Sequence, residues 1–341
     1  MTTQFNARAR SAPELPLAAR LPGVIFRPFR DAADYELLSG LTTQTNTEDR
    51  IPWIPTAAQL RTEMETSSGV DPTRDVLLAL LDDVLIGATG VERVVREGIP
   101  VYDMWGNVLT EFRRRGLGAA LLEWTLDRIR DRAAIEDPRA DVFVQGGAED
   151  QETGHRALLE RAAFAPVRHF FLMRRGSLLD VPDAPLADGL EIRTVTRDQR
   201  RPIIAAEFEA FRDHWGSRDL TEDAVRRTLE MAELDTDLWI VAWDGDQIAG
   251  VVENWIWAGE NKLLGIRRGW LERISVRRPW RRRGVARALT AASLVRLREA
   301  GMREAMLGVD SENPNGALGL YKGLGFEVHS RSAAYRRPLE P

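Results

Sequence analysis

Two stretches of the chain, about half its length apart, repeat one arrangement. Thr110-Glu111-Phe112-Arg113-Arg114-Arg115-Gly116-Leu117-Gly118-Ala119 and Arg278-Pro279-Trp280-Arg281-Arg282-Arg283-Gly284-Val285-Ala286-Arg287 each follow an apolar, strand-like run and open a helix of small residues. A glycine loop at a helix start leaves backbone amides unpaired beside the positive end of the helix dipole, which suits an anion such as phosphate. The fold must therefore present this feature twice.

The repeat extends beyond the loops. Residues 23–27 resemble 189–193, both reading as a first strand. Residues 76–81, the turn Asp82-Asp83 and residues 84–91 read as a hairpin, as do 238–243, Asp244-Gly245-Asp246 and 247–257. Gly87 matches Gly250, Gly116 matches Gly284 and Phe164 matches Phe326, in the same order and at nearly constant offset. Such a series indicates a duplicated unit. Residues 176–189, with Pro182, Pro185 and several Asp, have linker composition. The expected layout is a lead-in over 1–20, a first domain over 21–175, the linker over 176–189 and a second domain over 190–338. Each copy reads strand, helices, hairpin, longer strand, helix, strand, helix, strand. That order predicts an α/β fold with a mixed sheet flanked by helices, of α+β type.

Composition narrows the function classes. A chain of 341 residues with 44% apolar and 29% charged residues is of ordinary globular type. Without cysteine it has no disulfide, thiolate metal site or cysteine nucleophile, and no metal is expected. No apolar run approaches the roughly 20 residues of a membrane span, and residues 1–20 lack a signal-peptide core, so no membrane partner and a cytoplasmic location are expected. The net charge of −5 argues against nucleic acid as the main partner, although Trp280 among arginines offers a base-stacking alternative.

Neither loop helix has Ser, Thr or Asp at its start, so its first amides need another acceptor, and a pyrophosphate would serve. Arg281, Arg282 and Arg283 can add charge-assisted contacts. At this point the chain resembles the GNAT superfamily of acyl-CoA-dependent N-acyltransferases, whose loop signature is matched by Arg113, Gly116, Gly118 and by Arg281, Gly284, Ala286. A second family mark is matched by Asn313, Ala317, Leu320-Tyr321 and Gly325-Phe326. The tandem layout, with residues 211–216 opening the acceptor side of the second copy, is similar to the mycothiol synthase-like branch.

The resemblance implies acetyl-CoA as donor, held by Arg281, Arg282, Arg283, Gly284, Val285, Ala286 and Arg287, with Asn313. In the first copy the matching residues are Arg113, Arg114, Arg115, Gly116, Leu117 and Gly118. It implies a splayed pair of parallel strands, here 270–276 and 304–309, and an oxyanion-binding amide among Ile274, Ser275 and Val276. It places a general acid at Tyr321. Direct attack by an amine on a thioester also needs a base. Glu272, on one strand face with Ile274 and Val276 by alternation, is the first candidate; Glu253 and His214 are alternatives. His214, Trp215, Glu253 and Asn254 are candidates for the acceptor side. In the first copy, counting back from Phe164 lands on Leu159 where the second has Tyr321. Counting back from Gly116 lands on Met104 where the second has Glu272. The second copy is thus expected to acetylate a small-molecule primary amine, in a monomer or homodimer. The rival reading is a non-catalytic acyl-CoA-binding regulator.

Overall fold

The computed structural model describes residues 22–313 and 315–340; the expected lead-in over 1–20 lies outside the described residues. The first half runs β1 (Ile25–Pro28), α1 (Ala33–Asp49), α2 (Ala57–Glu65), the single turn α3 (Pro72–Asp75), β2 (Val76–Leu81), β3 (Val84–Arg96), β4 (Ile99–Val108), α4 (Leu117–Glu136), β5 (Phe143–Glu149), α5 (Thr153–Arg161) and β6 (Ala165–Arg175). The second runs β7 (Glu191–Arg193), α6 (Arg200–Phe211), α7 (Glu222–Glu230), β8 (Ile240–Asp244), β9 (Gln247–Trp255), α8 (Ala258–Leu264), β10 (Arg268–Val276), α9 (Val285–Glu299), β11 (Glu304–Asp310), α10 (Ala317–Lys322) and β12 (Glu327–Pro338).

Local signals explain the ends of these elements. Thr56 and Gln59 form a reciprocal capping box on α2, and Thr221 caps α7. Asp82 and Asp83 both have positive φ, as a two-residue hairpin turn demands. The uncapped α4 and α9 instead begin at Gly116 (φ 96°) and Gly284 (φ 79°).

All twelve strands form one sheet in the order β1-β2-β3-β4-β5-β12-β6-β11-β10-β9-β8-β7. Each half holds one parallel pair, joined over only three residues. Val101, Tyr102 and Asp103 pair with Phe143, Val144 and Gln145; Arg268, Gly269 and Trp270 pair with Glu304, Ala305 and Met306. Beyond those residues β4 leaves β5 and β10 leaves β11, giving two splayed clefts.

The last strands of the two copies are exchanged. β12 lies between β5 and β6, and β6 pairs with β11 of the other copy. Arg168 on β6 fastens this junction by an ion pair to Asp310 at 2.7 Å. The proline-rich stretch after β6 is packed rather than loose: Leu178 is buried in the second-half core with Leu289, Leu294 and Leu307.

Candidate active site

The two Arg-Gly loops share one backbone geometry. Arg114 and Arg282 are left-handed (φ 63° and 62°), as are Gly116 and Gly284. Leu117 and Val285 anchor the following helices in the core. Alternation of left-handed residues turns successive amides toward one concavity, an anion nest at an uncapped helix start. The open space around a Cβ placed on Gly284 leaves room for a ligand there. Both loops therefore fit a pyrophosphate.

The first arginine of each loop has a structural task. Arg113 donates from Nε to the Val108 carbonyl (2.9 Å) and from both terminal nitrogens to Asp49 (2.8 and 2.7 Å). Arg281 donates from Nε to the Val276 carbonyl (2.9 Å), and onward to Asp213 (2.7 Å) and the Ala210 carbonyl (2.8 Å). Each guanidinium clamps its loop to the end of the splayed strand and to the preceding helix. The charge-assisted anion contact expected of the Arg281 side chain is thus replaced by this clamp. Hydrogen bonds from Arg278 and Arg281 hold Asp213 well below the usual carboxylate range. Arg114, Arg115, Arg282 and Arg283 are exposed, and Arg287 lies beside Gly323.

The splayed strands differ between the halves. β3 and β4 pair without interruption. Between β9 and β10 the register shifts between Glu272 and Ser275, so Arg273 and Ile274 together oppose Val252. This is a β-bulge, with Arg273 at φ 49°. It takes Ile274 out of the ladder just before Ser275 and Val276. Close packing follows: a Cβ on Gly250 would come within 2.8 Å of the Ser275 carbonyl oxygen.

The bulge also changes which residues correspond. Glu272 pairs with Glu253, three residues past Gly250; the residue three past Gly87 is Gly90, and its partner is Trp105. Met104, reached by counting back from the loop glycine, pairs with Val91 instead. The extra residue in β10 accounts for the difference. The Trp105 ring lies over Gly90, within 2.5 Å of where a Cβ would stand, so an indole covers in the first half what carboxyl groups occupy in the second.

Those groups form a cluster. Glu253 and Glu207 are almost wholly buried, at 2% and 1% exposure, and Glu272 is half-buried. Glu207 accepts from Arg273 Nη1 at 2.6 Å. Burial pushes Glu272 above the ordinary carboxylate value, with the Glu207 charge adding to it and Arg273 opposing it. Burial and then Glu207 push Glu253 well up. The Arg273 side chain is 45% exposed while its partner Glu207 is buried. Glu207 is the residue of this cluster that sequence reasoning missed. A carboxylate beside Ile203, Ile204 and Phe208 on the buried face of α6 was the available signal.

Tyr321 is buried against Phe326, with ring centroids 6.2 Å apart. Burial raises its phenol, which stays protonated through the neutral range. The Phe326 amide donates to the Tyr321 carbonyl at 3.0 Å, and the Phe164 amide donates to the Leu159 carbonyl at 3.0 Å, so the two positions correspond in three dimensions. Asn313 closes the loop before α10, its Oδ1 accepting from the Asn315 amide at 2.9 Å.

The acceptor-side candidates separate. Asn254 faces away from Glu253 by alternation and donates to the Leu238 carbonyl at 2.7 Å. His214 packs edge-on against Phe211, and burial followed by Arg281 lowers its pKa. Trp215 lies against Phe170 and under the Arg336 guanidinium, on the exchanged strands. A cavity of about 280 Å³ is lined by Glu272, Trp257, Trp270 and Glu260 of the second half and by Trp53 and Glu63 of the first. Burial, with Glu92 adding and Arg227 opposing, pushes Glu63 up to about 7. In the first half, Arg113, Gly116 and Gly118 line a cavity of about 690 Å³ that also touches Trp105 and Leu159.

The sequence model of the acetyltransferase (GNAT) family matches residues 201–326. A mycothiol acetyltransferase of Nocardiopsis dassonvillei is 30% identical over 285 residues, 77% of this chain and 82% of that one. Another, of Geodermatophilus obscurus, is 26% identical over 90% of this chain and 95% of that one. Among solved structures, a GCN5-related N-acetyltransferase from Sphaerobacter thermophilus superposes with a TM-score of 0.71 at 27% identity, covering 94% of this chain and 97% of that one. A tandem GNAT protein from the clavulanic acid biosynthesis pathway shares the fold, with a TM-score of 0.68 at 16% identity over 93% and 99% of the two chains. With its duplicated loops, its splayed clefts and these relatives, the chain belongs to the GNAT acetyltransferase family and is an acyltransferase that uses acetyl-CoA.

Proposed function

We propose that the second half carries the chemistry, moving an acetyl group directly to a primary amine of a small molecule. The observation that carries this reading is the Glu272–Glu253 pairing at the bulge, set against Trp105–Gly90 at the matching place. The relatives named mycothiol acetyltransferase support a mycothiol-related acceptor.

Acetyl-CoA supplies the thioester that the amine attacks. The amides and side chains of Arg282, Arg283, Gly284, Val285, Ala286 and Arg287 hold its phosphates, and the Ile274 to Val276 backbone holds the developing oxyanion. Glu272, raised by burial and forming a wall of the cavity between the halves, accepts the ammonium proton. Tyr321 donates to the departing sulfur. Trp257, Trp270 and the surrounding carboxylates suit a cationic acceptor with apolar surface. The first half keeps the loop and the larger cavity and holds a donor molecule without turning it over.

A panel of amines with acetyl-CoA, read by mass spectrometry of the products, tests the activity. The reading expects an acetylated primary amine, and a kcat for Glu272→Gln lower by about 10²–10⁴-fold. Thiol release with no acetylated acceptor in any arm, or an undiminished Glu272→Gln, would contradict it.

A further inference from the structure

Two buried carboxyl groups behind Glu272 have no part in the proton transfers above. Glu207 comes from α6 and Glu253 from β9, at 1% and 2% exposure, and Glu253 stands opposite Glu272 in the ladder. A carboxyl group in a dry interior keeps its proton unless a cation or hydrogen-bond donors hold it as an anion. Glu207 is the one held as an anion, because it accepts from Arg273 at 2.6 Å. Glu253 is the one that keeps its proton; its Oε1 has no partner among the described residues.

Arg273 is the residue that the bulge displaces. Its left-handed backbone (φ 49°) is unfavourable for a side chain of this size and persists only where its surroundings fix it. Glu207 holds one end of the guanidinium, and the Phe208 ring lies 5.4 Å from its centre. From the ordinary ladder register, Arg273 and Ile274 would return to the sheet and Glu272 would lose its place opposite Glu253.

We infer that Glu253 keeps its proton while Glu207 is ionised, and that Glu207, through Arg273, acts as the positioning residue that holds the β10 bulge and sets the charge environment of Glu272. The inference rests on the assignment of Glu272 as the proton acceptor. The groups facing Glu272 are Glu207 from α6, Glu253 from β9, Arg273 on its own strand, and Glu63, Glu149 and Glu260 across the cavity. The anionic Glu207 raises the Glu272 pKa and Arg273 lowers it.

The variants predict different outcomes. Glu253→Gln keeps the shape and the donor of a protonated carboxyl, so the acid limb of its pH profile should not move. Glu207→Gln removes the anion that pins Arg273. Its kcat should fall by about 10²-fold, as misplaced reacting groups do, with KM for acetyl-CoA little changed. Its acid limb should move to lower pH by about one pH unit, because Glu272 loses a like charge and keeps Arg273. Glu207→Asp should recover part of the loss. A purely structural role would lower the amount of folded protein without moving the limb.

A second readout does not depend on activity. A carboxyl protonated when folded and ionised when unfolded makes folding take up a proton, so its stabilising contribution is lost as pH rises toward the folded pKa. Between pH 5 and 8, Glu253→Gln should gain unfolding midpoint relative to wild type, with a slope difference of about one proton. If Glu253→Gln loses activity as fully as Glu272→Gln, Glu253 is ionised and catalytic and the inference fails. Parallel stability profiles for Glu253→Gln and wild type would overturn the protonated Glu253 as well. If the slope difference appears while Glu272→Gln is fully active, the buried pair stands and the assignment of the base falls.

Discussion

The first half has a cavity of about 690 Å³ at its loop, and the second half has Glu272, Glu253 and Tyr321 where the first has Trp105, Gly90 and Leu159. Both halves build the loop in one way: left-handed Arg114 and Gly116 match left-handed Arg282 and Gly284, and Arg113 and Arg281 make the same clamp to a strand carbonyl and a helix-end aspartate. They part at the strand beside the cleft. One inserted residue in β10 breaks the ladder, puts Arg273 in a strained conformation and faces Glu272 with Glu253. The uninterrupted β4 lays Trp105 over Gly90 instead. At α5 and α10 the same backbone turn carries Leu159 in one half and Tyr321 in the other. In the proposed reading the loop scaffold and the proton-transfer groups are therefore separable parts of this fold: both halves share the loop geometry, and only the second has Glu272 and Tyr321 at the compared positions.

The largest difference between the halves should come from blocking each loop. Glu at either glycine meets the same left-handed strain, so each variant controls for the other. Gly284→Glu should abolish turnover, and Gly116→Glu should leave kcat within about threefold, if the second loop alone serves the transfer as proposed. Calorimetry with acetyl-CoA should show one binding event lost in each variant.

Next in size is a stability effect without a kinetic one. Leu159 is 1% exposed and packs in the core of the first half. Leu159→Ala should lower unfolding free energy by about 2–5 kcal/mol, measured by denaturant titration, while kcat of the folded enzyme is unchanged. A large fall in kcat would mean that the first-half cleft takes part in turnover.

The smallest expected effect is a displaced pH limb. Burial raises Glu272 above its usual carboxylate value, so kcat should fall as pH falls through that raised value, above the range of an exposed glutamate. The limb should be absent in Glu272→Gln. Arg273→Ala removes the cation that opposes the rise, so the limb should move to higher pH.

Much of this was legible in the sequence. Asp82-Asp83 and Asp244-Gly245-Asp246 marked both hairpins, and the glycine after each arginine triplet marked the left-handed loop. Counting back from Phe164 and Phe326 found Leu159 and Tyr321, because the turn between helix and strand has the same length in both copies. Counting back along β4 and β10 failed at Met104, because a bulge is one extra residue and leaves no mark in an alternating pattern. The exchange of β6 and β12 was also invisible: alternation tells which face of a strand is buried but not which strand it pairs with. Glu207 was hidden for a related reason, since its role depends on β9 and β10, far from it in the chain.

The most direct test of the asymmetry is kcat for Tyr321→Phe, measured with the acceptor identified by the amine panel and with chemistry rate-limiting. Phenylalanine keeps the ring against Phe326 and removes only the hydroxyl, so the fold is preserved and proton donation is tested alone. The account predicts a fall of about 10²–10⁴-fold with acetyl-CoA binding maintained. A kcat within about threefold of wild type would contradict it, leaving solvent as the proton source and Tyr321 as a packing residue like Leu159.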